Sequence, residues 1–255
     1  MTEPDDLRRD GFLDGRLHLW QPARGYRSGA DAVLLAAGCP ARPGDAVLEL
    51  GCGAGVAVLC LAWRVPGIAA AGLEVQPAYA ALARRNAKEN GLELEVVEGD
   101  LAAMPAALRA RSFDAVLTNP PYFRDATPSP DRGRDTARHE SLPLGAWLEA
   151  GLRRLRPGGS LTVIQRAERL AEILAALSPR AGAIRVLPVA GRGGRDAGRV
   201  LVTAVKGARA PLRLLAPLVM HDGQAHASGC NTDSAQSVAI LRNGLPIRYE
   251  CDERA

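Results

Sequence analysis

Aromatic residues and long hydrophobic runs are both scarce in this sequence of 255 residues. Phe, Trp and Tyr together make up 4% of the chain, so an aromatic side chain outside a core pattern is informative. No apolar run approaches the ~18 residues that a membrane-spanning helix requires. The N-terminal residues MTEPDDLRRD are polar and charged, unlike a secretory signal peptide. We therefore expect a soluble cytoplasmic protein without a membrane partner.

Cysteine is sparse as well, with five residues and no C-x-x-C pair. An odd number of cysteines without such pairs is typical of reduced thiols in the cytosol rather than of a disulfide framework. His221, His226 and Cys230 lie in one polar stretch, but their spacing matches no common zinc site. We therefore expect no bound metal.

Neither sign of charge dominates the composition. The 32 Lys and Arg residues and 28 Asp and Glu residues leave a formal net charge of +4. This mild basic excess favours a polyanionic partner, although many small proteins are as basic without one. The hydrophobic content of 47% allows a substantial core, and the charged content of 24% argues against disorder.

From residue 45 onward, strand patterns alternate with helix patterns. The predicted strands span residues 46–50, 68–74, 94–98, 113–118, 160–164, 183–188 and 199–205. The predicted helices span residues 30–38, 55–64, 77–90, 145–155 and 167–177. Such alternation indicates a parallel sheet with helices on both faces.

The last two predicted strands are joined by a Gly- and Arg-rich turn without a helix, so we expect an antiparallel hairpin at one sheet edge. The predicted fold class is α/β, with a doubly wound, Rossmann-like, mostly parallel sheet of seven strands. We divide the chain into an N-terminal extension with a capping helix (1–44), a core (45–206) and a C-terminal extension (207–255). Residues 1–27 are predicted to be loosely structured, with short strands near residues 15–20.

A glycine-rich loop follows the first core strand, in the sequence Val-Leu-Glu-Leu-Gly-Cys-Gly-Ala-Gly at residues 47–55. Ligands of doubly wound sheets bind beyond the carboxyl ends of the strands. A dinucleotide fingerprint requires a glycine where this chain has Val56, and Glu49 suits a cationic ligand better than a pyrophosphate. The pattern resembles motif I of the class I S-adenosylmethionine-dependent methyltransferases, in which Cys52 is a small packing residue rather than a nucleophile.

Acidic residues also end the next two strands. Glu74 can accept hydrogen bonds from both hydroxyls of a ribose, although such a residue is often only a solvated strand end. Gly99-Asp100 is equally typical of an ordinary turn. The methyltransferase resemblance assigns Asp100 and Leu101 to the adenine of the cofactor. In full, it implies a cofactor site formed by Glu49, Gly51, Cys52, Gly53, Gly55, Glu74, Val75, Asp100, Leu101 and Asn119.

The sequence Asn119-Pro120-Pro121-Tyr122 follows the fourth core strand and carries the strongest indication of chemistry. The exocyclic amine of a base, or the amide of Gln, is a poor nucleophile because its lone pair is delocalised. Two acceptors aimed at its hydrogens, the Asn119 side-chain carbonyl and the Pro120 backbone carbonyl, favour methyl transfer. The prolines stiffen the loop, and Tyr122 can stack on the planar group for about 1–3 kcal/mol.

Several segments occur together in an order that resembles one family. They are Gln-Pro-Ala-Arg-Gly-Tyr-Arg-Ser at 21–28, the Asn-Pro-Pro-Tyr loop, Ala-Arg-His-Glu at 137–140 and Arg-Val-Leu-Val at 199–202. The family is that of bacterial tRNA adenine-N6 methyltransferases acting beside the anticodon of valine tRNA. The resemblance implies tRNA as the partner. We expect a monomer or a homodimer.

Arginines near the predicted site agree with an RNA substrate, since arginine side chains suit phosphate contacts. Nearby acidic residues leave open a solvated loop of mixed charge instead. The candidate RNA contacts are Arg124, Arg134, Arg138, Arg192 and Arg195.

Two other substrates use the same chemistry, namely a protein Gln side chain and the N2 amine of guanine. Gln methyltransferases usually carry a helical domain before the core, and only about 44 residues precede the first core strand here. A protein on this fold without catalytic activity is a third alternative, which the intact motifs argue against. The expected reaction is therefore methylation of adenine N6 in tRNA.

The assigned role of Asn119 leads to a first prediction. Asn119→Ala removes the acceptor for the amine without touching the glycine-rich loop. Turnover should be abolished, while the affinity for S-adenosylmethionine, measured by calorimetry, stays within a few fold. An active Asn119→Ala enzyme would contradict the mechanism.

Overall fold

A computed structural model describes residues 7–121, 142–223 and 233–249 of the chain. Its first strands, β1 (Leu7–Phe12) and β2 (Leu17–Pro22), form an antiparallel hairpin. Asp14 and Gly15 both have positive φ at its tip, which is the conformation of a tight primed turn. The short strand expected near residues 15–20 is confirmed by β2, whereas the loose structure expected there is wrong for residues 7–22, because the Asp-Gly turn closes a complete hairpin.

The central sheet has the predicted order of elements. Its main strands are β3 (Ala46–Leu50), β4 (Ala69–Glu74), β5 (Glu95–Glu98), β6 (Phe113–Thr118), β7 (Leu155–Arg166), β8 (Ala181–Arg192) and β9 (Ala197–Lys206). They lie side by side in the order β8-β9-β7-β6-β3-β4-β5, and only β9 runs against the others. The α/β class, the doubly wound parallel sheet and the antiparallel hairpin are confirmed.

Two short strands extend this sheet beyond the hairpin. They are β10 (Arg213–Leu214) and β11 (Leu218–His221), and both pair in parallel with β8. Together with the main strands they make a sheet of nine strands. Both added strands lie in the segment 207–255, for which the sequence analysis predicted no strand.

Helices cover both faces of the sheet. They are α1 (Ala30–Gly38), α2 (Val56–Arg64), α3 (Pro77–Glu89), α4 (Ala106–Arg109), α5 (Leu144–Arg154), α6 (Leu170–Leu177) and α7 (Ala235–Leu241). One core cluster contains buried side chains of α1, α2 and α7, and the other contains those of α4, α5 and α6. Burial on both faces explains why the strands read as continuous apolar runs rather than as alternating patterns.

The start of β7 differs from the sequence prediction. The sequence predicted a strand from residue 160, but the strand already begins at Leu155. The pairing with β6 shifts between Phe113–Leu155 and Ala115–Ser160, and Gly158 has a φ of 77°. Residues 156–159 therefore form a bulge in the pairing with β6, and the strand continues on both sides of it.

The C-terminal segment packs on the first helix. The amide of Ile247 donates a hydrogen bond to the Ala37 carbonyl at 2.9 Å, and the Tyr249 hydroxyl donates to the Gly38 carbonyl at 2.8 Å. A Cβ at Gly38 would lie 2.8 Å from the Tyr249 hydroxyl, so only glycine admits this contact. The segment therefore covers the end of α1.

A buried asparagine on α3 joins the hairpin to the glycine-rich loop. Asn86 is 0% exposed, and its Oδ1 accepts from the Trp20 amide at 2.7 Å. Its Nδ2 donates to the Trp20 carbonyl at 3.0 Å and to the Ala54 carbonyl at 2.9 Å. One side chain thus satisfies three backbone groups from two separate segments.

Asn86→Ala should destabilise the protein, because it leaves these buried backbone groups without partners. We expect the free energy of unfolding to fall by about 2–4 kcal/mol in urea titrations. Asn90→Ala is the matched control, since Asn90 makes similar bonds to His18 near the surface. Its loss should be about 1 kcal/mol or less. Equal losses for the two variants would contradict this account.

Candidate active site

A cavity lies at the carboxyl ends of β3, β4, β5 and β6. The chain order reverses between β3 and β6, which is the position where doubly wound sheets bind ligands. Ten of the predicted site residues line this cavity: Glu49, Gly51, Cys52, Gly53, Glu74, Val75, Asp100, Leu101, Asn119 and Pro121. Residues far apart in the sequence are thereby brought together around one space.

The glycine-rich loop is anchored to the end of β4. The amides of Gly51 and Cys52 both donate to the Leu73 carbonyl, at 2.8 and 3.0 Å. Gly51 has a φ of 68°, and a Cβ there would lie 2.8 Å from the Trp147 ring. Gly55 has a φ of 83° and begins α2, but it does not line the cavity. Gly51 is thus needed for a close approach, whereas Gly55 serves the turn into the helix.

Glu49 is a carboxylate held almost entirely out of water. It is 3% exposed, and its Oε2 accepts from the Val58 amide in the first turn of α2 at 2.9 Å. Burial, together with the nearby negative charge of Glu74, raises the pKa of Glu49 to about 8. Within the described residues no Lys or Arg pairs with it. A cationic ligand in this cavity can therefore stabilise its ionised form.

Glu74 bridges the two loops that border the cavity. Its Oε2 accepts from the Gly53 amide and its Oε1 from the Gln76 amide, both at 2.8 Å. Burial raises the pKa of Glu74, while these backbone hydrogen bonds oppose the shift. Val75 follows with 51% of its surface exposed, which is unusual for a large apolar residue beside a buried strand. The carboxylate is rigidly placed and keeps lone pairs for further donors.

The sequence left two roles open for Asp100, namely an ordinary turn and a contact with a ligand. The residue both forms a turn and lines the cavity. Its Oδ1 accepts from the Ala102 amide at 2.8 Å, which is the hydrogen bond of a local turn. Asp100 and Leu101 nevertheless line the cavity. The turn holds the aspartate at the cavity wall.

Asn119 presents an unsatisfied acceptor at the same cavity. Its Oδ1 is buried and has no hydrogen-bond partner among the described residues. Its Nδ2 lies 3.5 Å from the hydroxyl of Tyr26, whose backbone carbonyl accepts from the Tyr79 hydroxyl at 3.1 Å. An unpaired buried acceptor is costly, so its presence at a cavity indicates a donor supplied by a ligand.

The prolines after Asn119 take different positions. Pro121 lines the cavity, whereas Pro120 does not. The Pro120 carbonyl, predicted to face the amine, accepts a hydrogen bond from Gln165 at 3.2 Å. Tyr122 lies outside the described residues.

The N-terminal side of the cavity is formed by the 21–28 segment, which contributed to the family resemblance but was given no role at the site. Tyr26 and Ser28 line it, in a loop that the buried side chain of Gln21 holds in place. The Ser28 amide donates to Gln21 Oε1 at 2.7 Å, and Gln21 Nε2 donates to the Ser28 carbonyl at 3.2 Å. Gln21 Nε2 also donates to Asp10 at 3.0 Å.

Trp147 on α5 lines the cavity from the opposite side. The rarity of aromatic residues was the available signal for both Tyr26 and Trp147. The other lining residues not predicted are Ala32, Ala57, Leu73, Gln76, Tyr79, Gly99 and Leu142.

The candidate RNA-contacting arginines are only partly described. Arg192 donates to the carbonyls of Asp222 and Gly223 at 2.8 and 2.9 Å, so its guanidinium is engaged within the protein. Arg195 is exposed at the tip of the β8–β9 hairpin. Arg124, Arg134 and Arg138 lie outside the described residues.

The described part of the chain contains neither a cluster of metal ligands nor a membrane-spanning helix. There, no three His, Cys, Asp or Glu side chains are grouped so that they could hold a metal ion, and His226 and Cys230 are not included. In the same residues no helix has the length and apolar character needed to cross a membrane.

A known family matches this arrangement of strands and loops. The model of the methyltransferase small domain matches residues 29–181, which include the glycine-rich loop, Glu74 and Asn119. The chain belongs to this family. The methyltransferase fold and family expected from the sequence motifs are therefore confirmed.

Individual relatives of this methyltransferase agree with the family. A Porphyromonas gingivalis protein named tRNA1(Val) (adenine(37)-N6)-methyltransferase is 32% identical over 173 residues, which cover 64% of this chain and 68% of the relative. A Yersinia enterocolitica protein of the same name is 30% identical over 162 residues, or 62% of this chain and 64% of that protein.

Solved structures resemble the methyltransferase in fold. Atu636 of Agrobacterium tumefaciens, a predicted O-methyltransferase, is 29% identical with a TM-score of 0.67 and covers 85% of this chain and 97% of its own. The T. thermophilus 16S rRNA N2 G1207 methyltransferase is 20% identical with a TM-score of 0.53, over 78% of this chain and 50% of that one. The second likeness concerns the fold alone.

The raised pKa of Glu49 predicts how stability changes with pH. The group binds a proton in the folded protein up to about pH 8, but in the unfolded chain only up to about pH 4.3. The contribution of Glu49 to the free energy of unfolding is thus fully present below pH 4.3, and it is lost as the pH rises through 8.

Glu49→Gln should remove this loss while keeping an acceptor for the Val58 amide. In urea titrations of the ligand-free methyltransferase, the variant should gain stability relative to wild type between pH 5 and pH 9. The gain should be a few kcal/mol, since one pKa unit corresponds to about 1.4 kcal/mol. Stability curves that run parallel over this pH range would refute the assignment.

Proposed function

We propose that this methyltransferase transfers a methyl group from S-adenosylmethionine to the N6 amine of an adenine in tRNA, at position 37 beside the anticodon of valine tRNA. The observation that carries the proposal is the buried, unpaired Oδ1 of Asn119 at the cavity. The names of the relatives from P. gingivalis and Y. enterocolitica support adenine in tRNA as the acceptor.

The residues of the cavity fit S-adenosylmethionine as the cofactor. The cofactor is cationic at its sulfonium and amino groups, and Glu49 and Glu74 are buried carboxylates without a Lys or Arg partner among the described residues. When bound, S-adenosylmethionine supplies a methyl group activated by the positive sulfonium. The glycine-rich loop admits a ligand close to its backbone, since residues 51 and 53 lack side chains.

Individual contacts to the cofactor follow from the chemistry of each residue. Glu74 retains lone pairs for the ribose hydroxyls, and Asp100 with Leu101 would hold the adenine of the cofactor. Glu49 would face the cationic amino-acid end, next to Gly51 and Gly53. Trp147 closes this end of the cavity from α5.

The acceptor amine would be oriented by Asn119. Its Oδ1 accepts a hydrogen bond from the amine, favours a pyramidal nitrogen and stabilises the positive charge that develops there. The Nδ2 group beside the Tyr26 hydroxyl keeps the oxygen end of the amide turned to the cavity. Although Pro120 is not among the residues that line the cavity, its carbonyl keeps one lone pair beside the bond from Gln165 and would supply the second acceptor. Tyr122 would stack on the base. The proton released from nitrogen passes to water.

Access for RNA is proposed along the same edge of the sheet. Because β9 is antiparallel to β7, with Arg199 opposite Arg166, the β8–β9 hairpin tip lies at the carboxyl edge that carries Asn119. Arg195 at this tip and the exposed Arg24 beside Tyr26 are placed for phosphate contacts. The target adenine must leave its stack to reach the cavity, and unstacking costs least in a loop such as the anticodon loop. A tRNA substrate places the enzyme in the cytoplasm.

Mass spectrometry of modified nucleosides tests this function. Deleting the gene should remove N6-methyladenosine from purified valine tRNA, and the purified enzyme should restore it to that tRNA in vitro. Complementation with Asn119→Ala should fail, which controls for indirect effects of the deletion.

Two results would overturn the proposed substrate. An unchanged tRNA profile together with loss of a methylated Gln peptide would indicate a protein substrate. Loss of N2-methylguanosine instead would identify the guanine amine.

A further inference from the structure

Gln165 is a fully buried amide on β7 that contacts the loop after Asn119. It is 0% exposed, on the strand that pairs directly with β6. Its Nε2 donates to the Pro120 carbonyl at 3.2 Å and to the Pro121 carbonyl at 3.4 Å. Its Oε1 accepts from the Arg166 amide at 2.9 Å. The orientation of the side-chain amide is therefore set at both ends.

The loop needs such a donor because of its own composition. Proline has no N–H, so Pro120 and Pro121 cannot anchor the loop by donating hydrogen bonds, and their carbonyls must find donors elsewhere. Arg169 contributes less, since its Nη1 lies 3.5 Å from the Pro121 carbonyl and its guanidinium pairs with Glu172. Among the described residues, Gln165 is the side chain seen to donate to both of these successive carbonyls.

We propose that Gln165 is a positioning residue for methyl transfer, which sets the direction of the Pro120 carbonyl and thereby the geometry of the loop that begins at Asn119. A carbonyl oxygen has two lone pairs, and Gln165 takes one of them. The hydrogen bond from Gln165 thereby fixes the direction in which the other lone pair of the Pro120 carbonyl points. The loop cannot make such a bond itself, because its prolines have no N–H. The proposal rests on the proposed function, in which this loop orients the acceptor amine.

Gln165 should affect the chemical step and leave cofactor binding unchanged. Nothing in its contacts reaches the glycine-rich loop, Glu49 or Glu74, which form the cofactor side of the cavity. A misplacement of about 1 Å in a catalytic group can reduce the rate about 100-fold. The effect is therefore expected in kcat, with KM for tRNA and Kd for S-adenosylmethionine nearly constant.

Two substitutions of similar volume separate positioning from packing. Gln165→Met and Gln165→Leu both remove the Nε2 donor and keep a side chain of similar volume. Both should lower kcat by about 10- to 100-fold, with KM for tRNA and Kd for S-adenosylmethionine changed less than about threefold. Val163→Ala is the matched control, because Val163 is buried on the same strand and in the core cluster next to α5. It should lower the melting temperature and leave kcat within about twofold at 25 °C.

The outcomes are distinct. If Gln165→Met keeps kcat within about twofold, or if Val163→Ala lowers kcat as much as Gln165→Met does, the positioning role is wrong. If wild type methylates no tRNA, the proposed function fails. The role of Gln165 in holding the loop is then tested by hydrogen exchange. Exchange in a peptide covering residues 113–119 should then be faster in both Gln165 variants and unchanged in Val163→Ala. Unaltered exchange in the Gln165 variants would overturn the proposal whatever the methyl acceptor is.

Discussion

The burial of two carboxylates at neighbouring strand ends is the constraint around which the site is organised. Glu49 and Glu74 are 3% and 5% exposed, and neither has a Lys or Arg partner among the described residues. Burying a charge without a partner is costly, and the raised pKa of Glu49 shows this cost. A cationic ligand offsets it, so ligand binding and stability are coupled in this methyltransferase.

Two kinds of unsatisfied group line different sides of the cavity. Its β3 and β4 side offers negative charge, whereas its β6 side offers the neutral, unpaired amide oxygen of Asn119. In the proposed reaction, the charged methyl donor and the neutral amine would be recognised by different physical means for this reason. Both groups lie at the ends of adjacent strands, so the rigid sheet, rather than a mobile segment, sets their separation.

Much of this arrangement could be predicted because it depends on local sequence. The alternation of strands and helices, the glycine-rich loop and the loop at Asn119 all lie in short continuous segments. Gln165 could not be predicted as a site residue, since its contacts with Pro120 and Pro121 span 45 and 44 positions and belong to no motif. Tyr26 and Trp147 carried only the weak signal of a rare aromatic residue, because their positions at the cavity arise from contacts with distant segments. A polar residue such as Gln165 within a strand reads as an interruption of the apolar pattern. The Asp14-Gly15 turn, in contrast, was a local signal of the hairpin that the sequence prediction did not use.

The contact between Tyr249 and Gly38 spans 211 positions, and it bears on the order of folding during synthesis. Ala32, which lines the cavity, lies on the same helix, α1. A nascent chain can pair all of its main strands before residues 233–249 emerge from the ribosome, yet the end of α1 is then still uncovered. A stop codon soon after Lys206 would preserve every strand of the core and still leave this apolar helix end open to aggregation.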